Sequence, residues 1–325
     1  MKAHRRSPPR GAALLLAMLI LTLVTTLAAG MVWQQWRAIR VEAAERARTQ
    51  AAWILAGALD WARLILREDA RNRGADHLGE PWAVPLAEAR LSTFLAADRD
   101  NNNAADTDAL DAFLSGSIVD AQARWNLRRL VGSDGKPVEA EQRVLARLCE
   151  FAGAGTDAAE RIAAALQKAW SPLAGSQDEA QIAPQRLAEL AWLGIDADTL
   201  RRLAPFVVIL PSAETRVNVN TAPAEVIAAA VDGMSLGQAQ RLVQERTRTV
   251  ITDVASAPAR AWFPAETNPP NPKLFEGVGV SSSHFFVSGR LRLESRVLEE
   301  RTLIQRRDLD MVVLLRERVS LRDAP

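Results

Sequence analysis

The chain has 325 residues, 48% hydrophobic and 24% charged, which are globular values with room for one large or two modest folded domains. Its 40 Lys and Arg against 39 Asp and Glu leave a net charge of +1, which excludes a global electrostatic case for nucleic acid. A single cysteine, Cys149, excludes an internal disulfide, so a domain outside the cytoplasm relies on its core or on ligands for stability. The N-terminus carries Lys2, Arg5, Arg6 and Arg10 with no acidic residue, then Gly11, then an uncharged run from Ala12 to Val32. A run of about 20 apolar residues crosses a bilayer as a helix. The basic leader then stays cytoplasmic and the bulk of the chain lies outside. A plain signal anchor and a cleaved secretory signal both fit the run. The secretory type usually has a shorter apolar stretch, but the small residues Leu27-Ala28-Ala29-Gly30 are tolerable at its far end. Arg5–Arg6 lacks the apolar continuation of a twin-arginine signal.

The helical pattern does not stop at the membrane. From Trp33 to about Arg67 there is no proline, and Trp36, Ile39, Ala43, Ala47, Ala51, Ile54, Ala58, Trp61 and Ile65 follow the three-or-four spacing of one helical face. At 1.5 Å per residue, Ala12 to Arg67 predicts a rod of about 80 Å. Residues 71–85 form a Gly/Pro-rich loop, and Arg90 to Leu95 reads as a short strand. Ala97 to Asp111 is dense in Asp and Asn, which compete for backbone hydrogen bonds and favour loops. Asp98, Asp100 and Asn102 alternate like the start of an EF-hand. The pattern then fails, because Asn103 replaces the turn glycine and Ala109 the bidentate glutamate.

Ala112 to Trp125 reads as a strand or hairpin. Residues 139 to about 204 are mainly helical, with helical periodicity in EQRVLARLCEF, DAAERIAAALQKAW and PQRLAELAWLGI. Cys149 falls on the apolar side of the first, as a buried small side chain. Thr156 or Asp157 can cap the second, with Glu160 placed for a capping box. Val207 to Leu210 is a short strand, and Ala222 to Ala230 and Gly237 to Arg246 are paired helices. Phe286 to Val297, Arg301 to Arg306 and Asp310 to Val319 alternate apolar with charged residues, as an antiparallel meander with one wet face does. Strands on both sides of a helical block predict one α+β domain carrying an insertion.

Arg10-Gly11-Ala12-Ala13-Leu14-Leu15-Leu16 resembles the type III signal of prepilins and pseudopilins. In that family a membrane peptidase cuts after the glycine and methylates the new N-terminus, so the resemblance implies cleavage and methylation at Gly11 and Ala12. A glycine there permits close backbone approach to a protease cleft. Most members carry Glu at the fifth mature position; here it is Leu16. A carboxylate inside a membrane needs a partner, which in pilins is the N-terminal amine of the subunit ahead. Leu16 therefore suits a subunit with nothing ahead of it, at a filament tip. The K-type pseudopilins of type II secretion typically lack this Glu.

Two internal stretches carry the same resemblance. Ile118 to Leu130 (IVDAQARWNLRRL) is similar to the family's I-x-D-x-Q-x-R-F/W-N-L-N-x-L, with Asp120, Arg124 and Asn126 matching and Arg128 in place of the second Asn. Asp and Asn beside a strand exit can bond free backbone groups, and Arg124 could pair with Asp120. Arg216 to Arg246 is similar to the I/V-N-I/V-N-T-A-x-x-E-V-L segment of K-type pseudopilins, through Asn218, Asn220 and Thr221. Thr221 can cap the following helix, with Pro223 and Glu225 in its first turn. The same words occur in helix-hairpin-helix DNA-binding proteins of the competence type. Here the turn Asp232-Gly233-Met234-Ser235 lacks the second glycine, and acidic neighbours offset Arg241, Arg246 and Arg248. K-type relatives also show acidic calcium-binding stretches. In the matching region, Lys168 to Pro184, only Asp178 and Glu179 remain as strong oxygen ligands, so calcium stays open only there and no cofactor is carried over.

No enzyme signature is present: His4, His77 and His284 are far apart, His284 reads as a strand-start turn, and there is no P-loop, dinucleotide fingerprint or zinc spacing. The resemblance implies a pilin-like α+β fold, with a long N-terminal helix packed on an antiparallel sheet and a large helical insertion. The expected division is a leader (1–11), the transmembrane half of a stem (12–32), its periplasmic half (33–70), a first β part (71–130), a mainly helical insertion (131–260, with the paired helices at 216–250) and a C-terminal meander (261–325). It further implies a minor pseudopilin at the tip of a type II secretion pseudopilus, single-pass in the cell inner membrane with its C-terminal domain in the periplasm. Its expected partners are I- and J-type minor pseudopilins, the major pseudopilin and the prepilin peptidase, with no nucleic acid. The competing reading is a membrane-anchored periplasmic helix-hairpin-helix DNA-binding protein; a third is an anchored domain without a filament role.

Overall fold

A computed structural model describes residues 10–72, 74–93, 112–155, 157–170, 182–256, 261–264, 275–293 and 296–320. The chain divides into two compact units, Met1–Ala56 and Gly57–Pro325. Helix α1, Arg10–Arg71, contributes to both. Its sequence holds no proline and is rich in Ala and Leu, the best helix formers. Within the first unit, Leu14, Leu15, Leu19, Leu23 and Leu27 are all exposed, as side chains meant for lipid must be in an isolated chain. Among the described residues this is the one helix long and apolar enough to cross a membrane. The hydroxyls of Thr22, Thr25 and Thr26 donate to carbonyls one turn back, so the run presents no unpaired hydroxyl to hydrocarbon.

The second unit is α+β. Its main sheet has the order β1-β2-β7-β8-β9, all antiparallel: β1 Leu86–Arg90, β2 Ala112–Asp120, β7 His284–Leu293, β8 Arg296–Arg307 and β9 Asp310–Ser320. Strand β2, from before the insertion, pairs along its whole length with β7, from after it. The expected interrupted sheet is therefore present. Gly116 faces Gly289 across this ladder, and a Cβ on Gly116 would sit 2.8 Å from the Ser288 carbonyl oxygen, so the close pairing requires glycine. The β8–β9 hairpin turns through Asp308 at φ 52°, a region Asp tolerates better than most residues.

Period-two alternation places Phe285, Val287, Leu291 and Leu293 on one face of β7. Phe285 and Val287 form a core with Leu59, Ala62 and Leu66 of α1, together with Trp82, Ile118, Ile304 and Met311. Trp82 meets Phe285 edge to face at 5.3 Å. The other face was expected to be wet, but it is partly covered: Leu303 packs with Ala121, Val208 and Leu210, and Phe286 and Leu315 lie against them. Strand periodicity shows which residues share a face, but not that a distant segment returns to cover it.

The insertion has its own, larger core. Helices α2 (Glu139–Ala152), α3 (Ala158–Trp170), α4 (Ala197–Leu203), α5 (Ala224–Ala230) and α6 (Leu236–Arg246) surround Trp125, Leu145, Leu148, Ile162, Leu166, Leu190, Val226, Ile227 and Leu242. Two short parallel pairs tie it together: β3 (Trp125–Asn126) with β4 (Val207–Val208), and β5 (Val217–Asn218) with β6 (Val278–Gly279). Three expectations need correction. The strand expected at Arg90–Leu95 lies earlier, at Leu86–Arg90, and Leu91–Thr93 turns helical. PQRLAELAWLGI forms a 3-10 segment over Leu187–Leu193, held by Glu189, which accepts from the Gln185 and Arg186 amides. Thr221 does not cap α5: Pro223 occupies that position, and the Thr221 hydroxyl is engaged elsewhere.

Candidate functional site

β2 ends at Asp120, where the backbone enters a 3-10 turn over Ala121–Ala123. Asp120 Oδ1 accepts from the Gln122 amide at 2.7 Å, capping that turn. Oδ2 accepts from Thr221 Oγ1 at 2.5 Å, Ser282 Oγ at 2.7 Å and Asn218 Nδ2 at 3.1 Å. The carboxylate is buried, and burial pushes its pKa up to about 6, against the hydrogen bonds from Ser282, Thr221 and Gln122 that favour the charged form. Asn218 Oδ1 accepts from the Asn220 amide. Gln122 donates to the Arg216 carbonyl and accepts from the Ser283 amide. The two Asn-containing stretches, nearly a hundred residues apart in sequence, thus share one buried network.

The network extends to the end of α1. Asp76 Oδ2 accepts from the Ser282 amide at 2.6 Å, and its carbonyl accepts from Asn218. Arg306 on β8 bridges Asp76 and Asp69, the latter on α1, and also donates to the Ser282 carbonyl. Burial raises the Asp76 pKa and Arg306 opposes the rise; burial and then the neighbouring Glu80 raise that of Asp69. Asp69, Asp76 and Glu80 bring carboxylate oxygens within 4.8 Å of one another, but Arg306 already neutralises two of them. Asp76, Ser282 and Arg306 were missed in the sequence because each sits in a turn or strand whose pattern shows only exposure. An Asp in a Gly/Pro-rich loop looks like punctuation.

The remaining predicted residues hold loops. Asn126 Oδ1 accepts from the Arg128 and Leu210 amides, and Nδ2 donates to the Ser212 carbonyl and Thr215 Oγ1. Asn220 exchanges two bonds with the backbone of Ile251. Arg124 does not pair with Asp120 as expected. Its guanidinium lies 5.7 Å over the Phe286 ring, because the turn after Asp120 carries it to the opposite face of the sheet. Gly11, Ala12 and Leu16 lie on α1, and Leu16 is exposed. Asp178, Glu179 and the Asp/Asn-rich 97–111 stretch lie outside the described residues.

The paired helices show how the hairpin is used. Arg147 of α2 donates to the Val231 and Met234 carbonyls, and Met234 is buried. Arg246 donates to the Val219 and Ala222 carbonyls, and burial lowers its pKa to about 10. Ser235 and Gln238 complete a capping box on α6. The hairpin turn therefore packs through Met234 on the protein's own helix, and Arg246 is half-buried. His284 is a strand start, as expected, but it is buried. Its Nδ1 lies 2.9 Å from Ser283 Oγ, while Nε2 has no partner among the described residues. Burial, with the charge of Arg307, lowers its pKa to about 4.

Comparison with known proteins follows this architecture. Two models of one family, Type II secretion system (T2SS), protein K, match residues 123–212 and 217–272. The Type II secretion system protein K of Pseudomonas aeruginosa is 30% identical over 75% of this chain and 74% of that protein. That of Pectobacterium carotovorum subsp. carotovorum is 29% identical over 92% of this chain and 93% of that protein. Among solved structures, the crystal structure of a GspK-GspI-GspJ complex from the enterotoxigenic Escherichia coli type 2 secretion system contains a similar chain. It has a TM-score of 0.65 and 20% identity, covering 86% of this chain and 99% of that one, and it shows a shared fold.

Proposed function

Because the chain belongs to the type II secretion system protein K family, we propose that it is the tip subunit of a pseudopilus, helping to export folded proteins across the outer membrane. The observation that carries the proposal is α1. One helix holds both the apolar run after Gly11 and, at Leu59, Ala62 and Leu66, part of the core of the head. A separate anchor joined by a linker would not need that continuity. In this reading a prepilin peptidase cuts between Gly11 and Ala12 and methylates Ala12, and the helix stays in the inner membrane with the head in the periplasm. I- and J-type minor pseudopilins join it at the tip, above the major pseudopilin. Leu16 removes the carboxylate that would seek the amine of a subunit ahead, while the Ala12 amine still receives the next subunit's Glu. The Met234 and Ser235 amides donate to the Val231 carbonyl and Gln238 Oε1, and the half-buried Arg246 donates to the Val219 and Ala222 carbonyls; both favour this reading over DNA binding, which needs open turn amides and a basic surface.

The direct test is the mature N-terminus. Mass spectrometry of protein from its native membrane is expected to find methylated Ala12. Gly11→Val is expected to leave a heavier, uncut species and to stop secretion; unchanged mobility with unchanged secretion would overturn the proposal. Leu16→Glu is expected to remain inserted and to enter filaments below the tip, a carboxylate there now finding an amine partner. Cross-linking confined to the tip in that variant would remove the role given to Leu16.

A further inference from the structure

We propose that the groove on the outer face of the five-stranded sheet, beside Arg124 and Arg301, binds an acidic segment of a partner polypeptide: an aspartate or glutamate flanked by aliphatic residues. This goes beyond the export reading and rests on the head alone. The groove encloses about 570 Å³ between the sheet and the insertion, within the usual range of ligand sites. Its apolar floor includes Phe286, Leu303 and Leu315 from three adjacent strands. A second cavity of about 430 Å³ shares Leu303, Leu315 and Ile209 with it and continues past Leu314. The two together are longer than a small anion needs and suit an extended chain.

The charge at one end is unbalanced. Arg301 stands opposite Glu317 in the β8–β9 register, but Glu317 accepts from Arg186 instead. Arg201, also on the wall, is held by Asp198. Among the described residues neither Arg124 nor Arg301 donates to a carboxylate. Their guanidinium carbons lie 5.7 and 5.9 Å from the centroid of the same Phe286 ring. Two like charges beside one ring, one of them half-buried, are unfavourable until an anion joins them. Burial, and then the charge of Arg301, lower the Arg124 pKa, as this crowding requires. Guanidinium forks match a carboxylate closely, so one acidic side chain can engage both arginines. The half-buried Phe286 and Leu315 side chains then receive the aliphatic neighbours. Trp192 on the wall is 66% exposed, and Trp and Arg are the residues that most often dominate binding energy at interfaces.

The test uses the full chain in detergent and saturation-transfer NMR titrations of acetyl-Leu-Glu-Leu-amide, acetyl-Leu-Gln-Leu-amide and inorganic phosphate. The Glu peptide is expected to bind at least about tenfold more tightly than the Gln peptide and to weaken with added salt. Arg301→Gln is expected to reduce Glu-peptide affinity by about tenfold with an unchanged melting temperature, since this side chain is exposed. Arg124→Lys, which keeps the charge and loses the fork, is expected to weaken it as well. Equal binding of the two peptides, no binding of either, displacement by phosphate at equal affinity, or full affinity in Arg301→Gln would each overturn the proposal.

Discussion

Replacing Asp120 with Ala is expected to destabilise the head by about 4 kcal/mol. The carboxylate accepts from the Gln122 amide, Thr221 Oγ1, Ser282 Oγ and Asn218 Nδ2, all within the protein interior. Removing it leaves several donors facing a cavity without an acceptor, each a desolvated group costing on the order of 1–3 kcal/mol. Some of that is recovered where Ser282 and Asn218 turn to each other, already 3.0 Å apart. The loss also spreads, because Asn218 and Ser282 connect Asp120 to Asp76 and so to Arg306 and α1. Urea titration of the detergent-solubilised chain measures it. An exposed control, Asp134→Ala, is expected to stay within about 0.5 kcal/mol of wild type. A loss below about 1 kcal/mol for Asp120→Ala would show that the network is not a stabilising centre.

The second large effect is a pair of opposite pH dependences. Asp120 has its folded pKa raised from 3.8 to about 6. Between those values the unfolded chain has released a proton that the folded one keeps, so Asp120's contribution to stability is full below pH 3.8 and falls as pH rises through 6. His284 is the reverse. Its folded pKa is lowered from 6.5 to about 4, so the unfolded chain binds the extra proton in that window and stability rises with pH. Each shift spans about two units, on the order of 3 kcal/mol. Stability differences against a variant isolate each group. Wild type minus Asp120→Asn is expected to fall by about 2 kcal/mol between pH 4 and 6.5, and wild type minus His284→Gln to rise by a similar amount. Two flat difference curves would show that neither side chain is shifted by its buried setting. In the wild-type curve the two effects largely offset each other, while Asp69 and Asp76, whose pKa values are also raised, add to the decline.

Local patterns made much of the architecture legible. The uncharged run, the proline-free stretch to Arg67, the helices at 139–170 and the three C-terminal strands all follow from periodicity and breakers, which are short-range properties. The motif residues Asp120, Asn126, Asn218 and Asn220 were also visible, because Asx side chains beside strand ends serve free backbone groups wherever they occur. Their partners were not visible. Thr221 looked like a helix cap, a local role, yet its hydroxyl goes to a carboxylate 101 residues earlier. Arg124 looked like a partner for Asp120 four positions away, yet the 3-10 turn between them sends the two side chains to different faces of the sheet.

The chain's own order of residues determined the membrane-length helix, the strands, the absence of disulfides and the acid and amide side chains available at the strand exits. These depend on charge, side-chain shape and spacing over a few residues. Only the tertiary structure decided that β2 and β7 close one sheet around the insertion, that Arg306 neutralises Asp69 and Asp76, and that Arg124 and Arg301 meet over Phe286. Those contacts join segments far apart in sequence. Which of them form is set by how two cores pack against one sheet, and no local pattern encodes that packing.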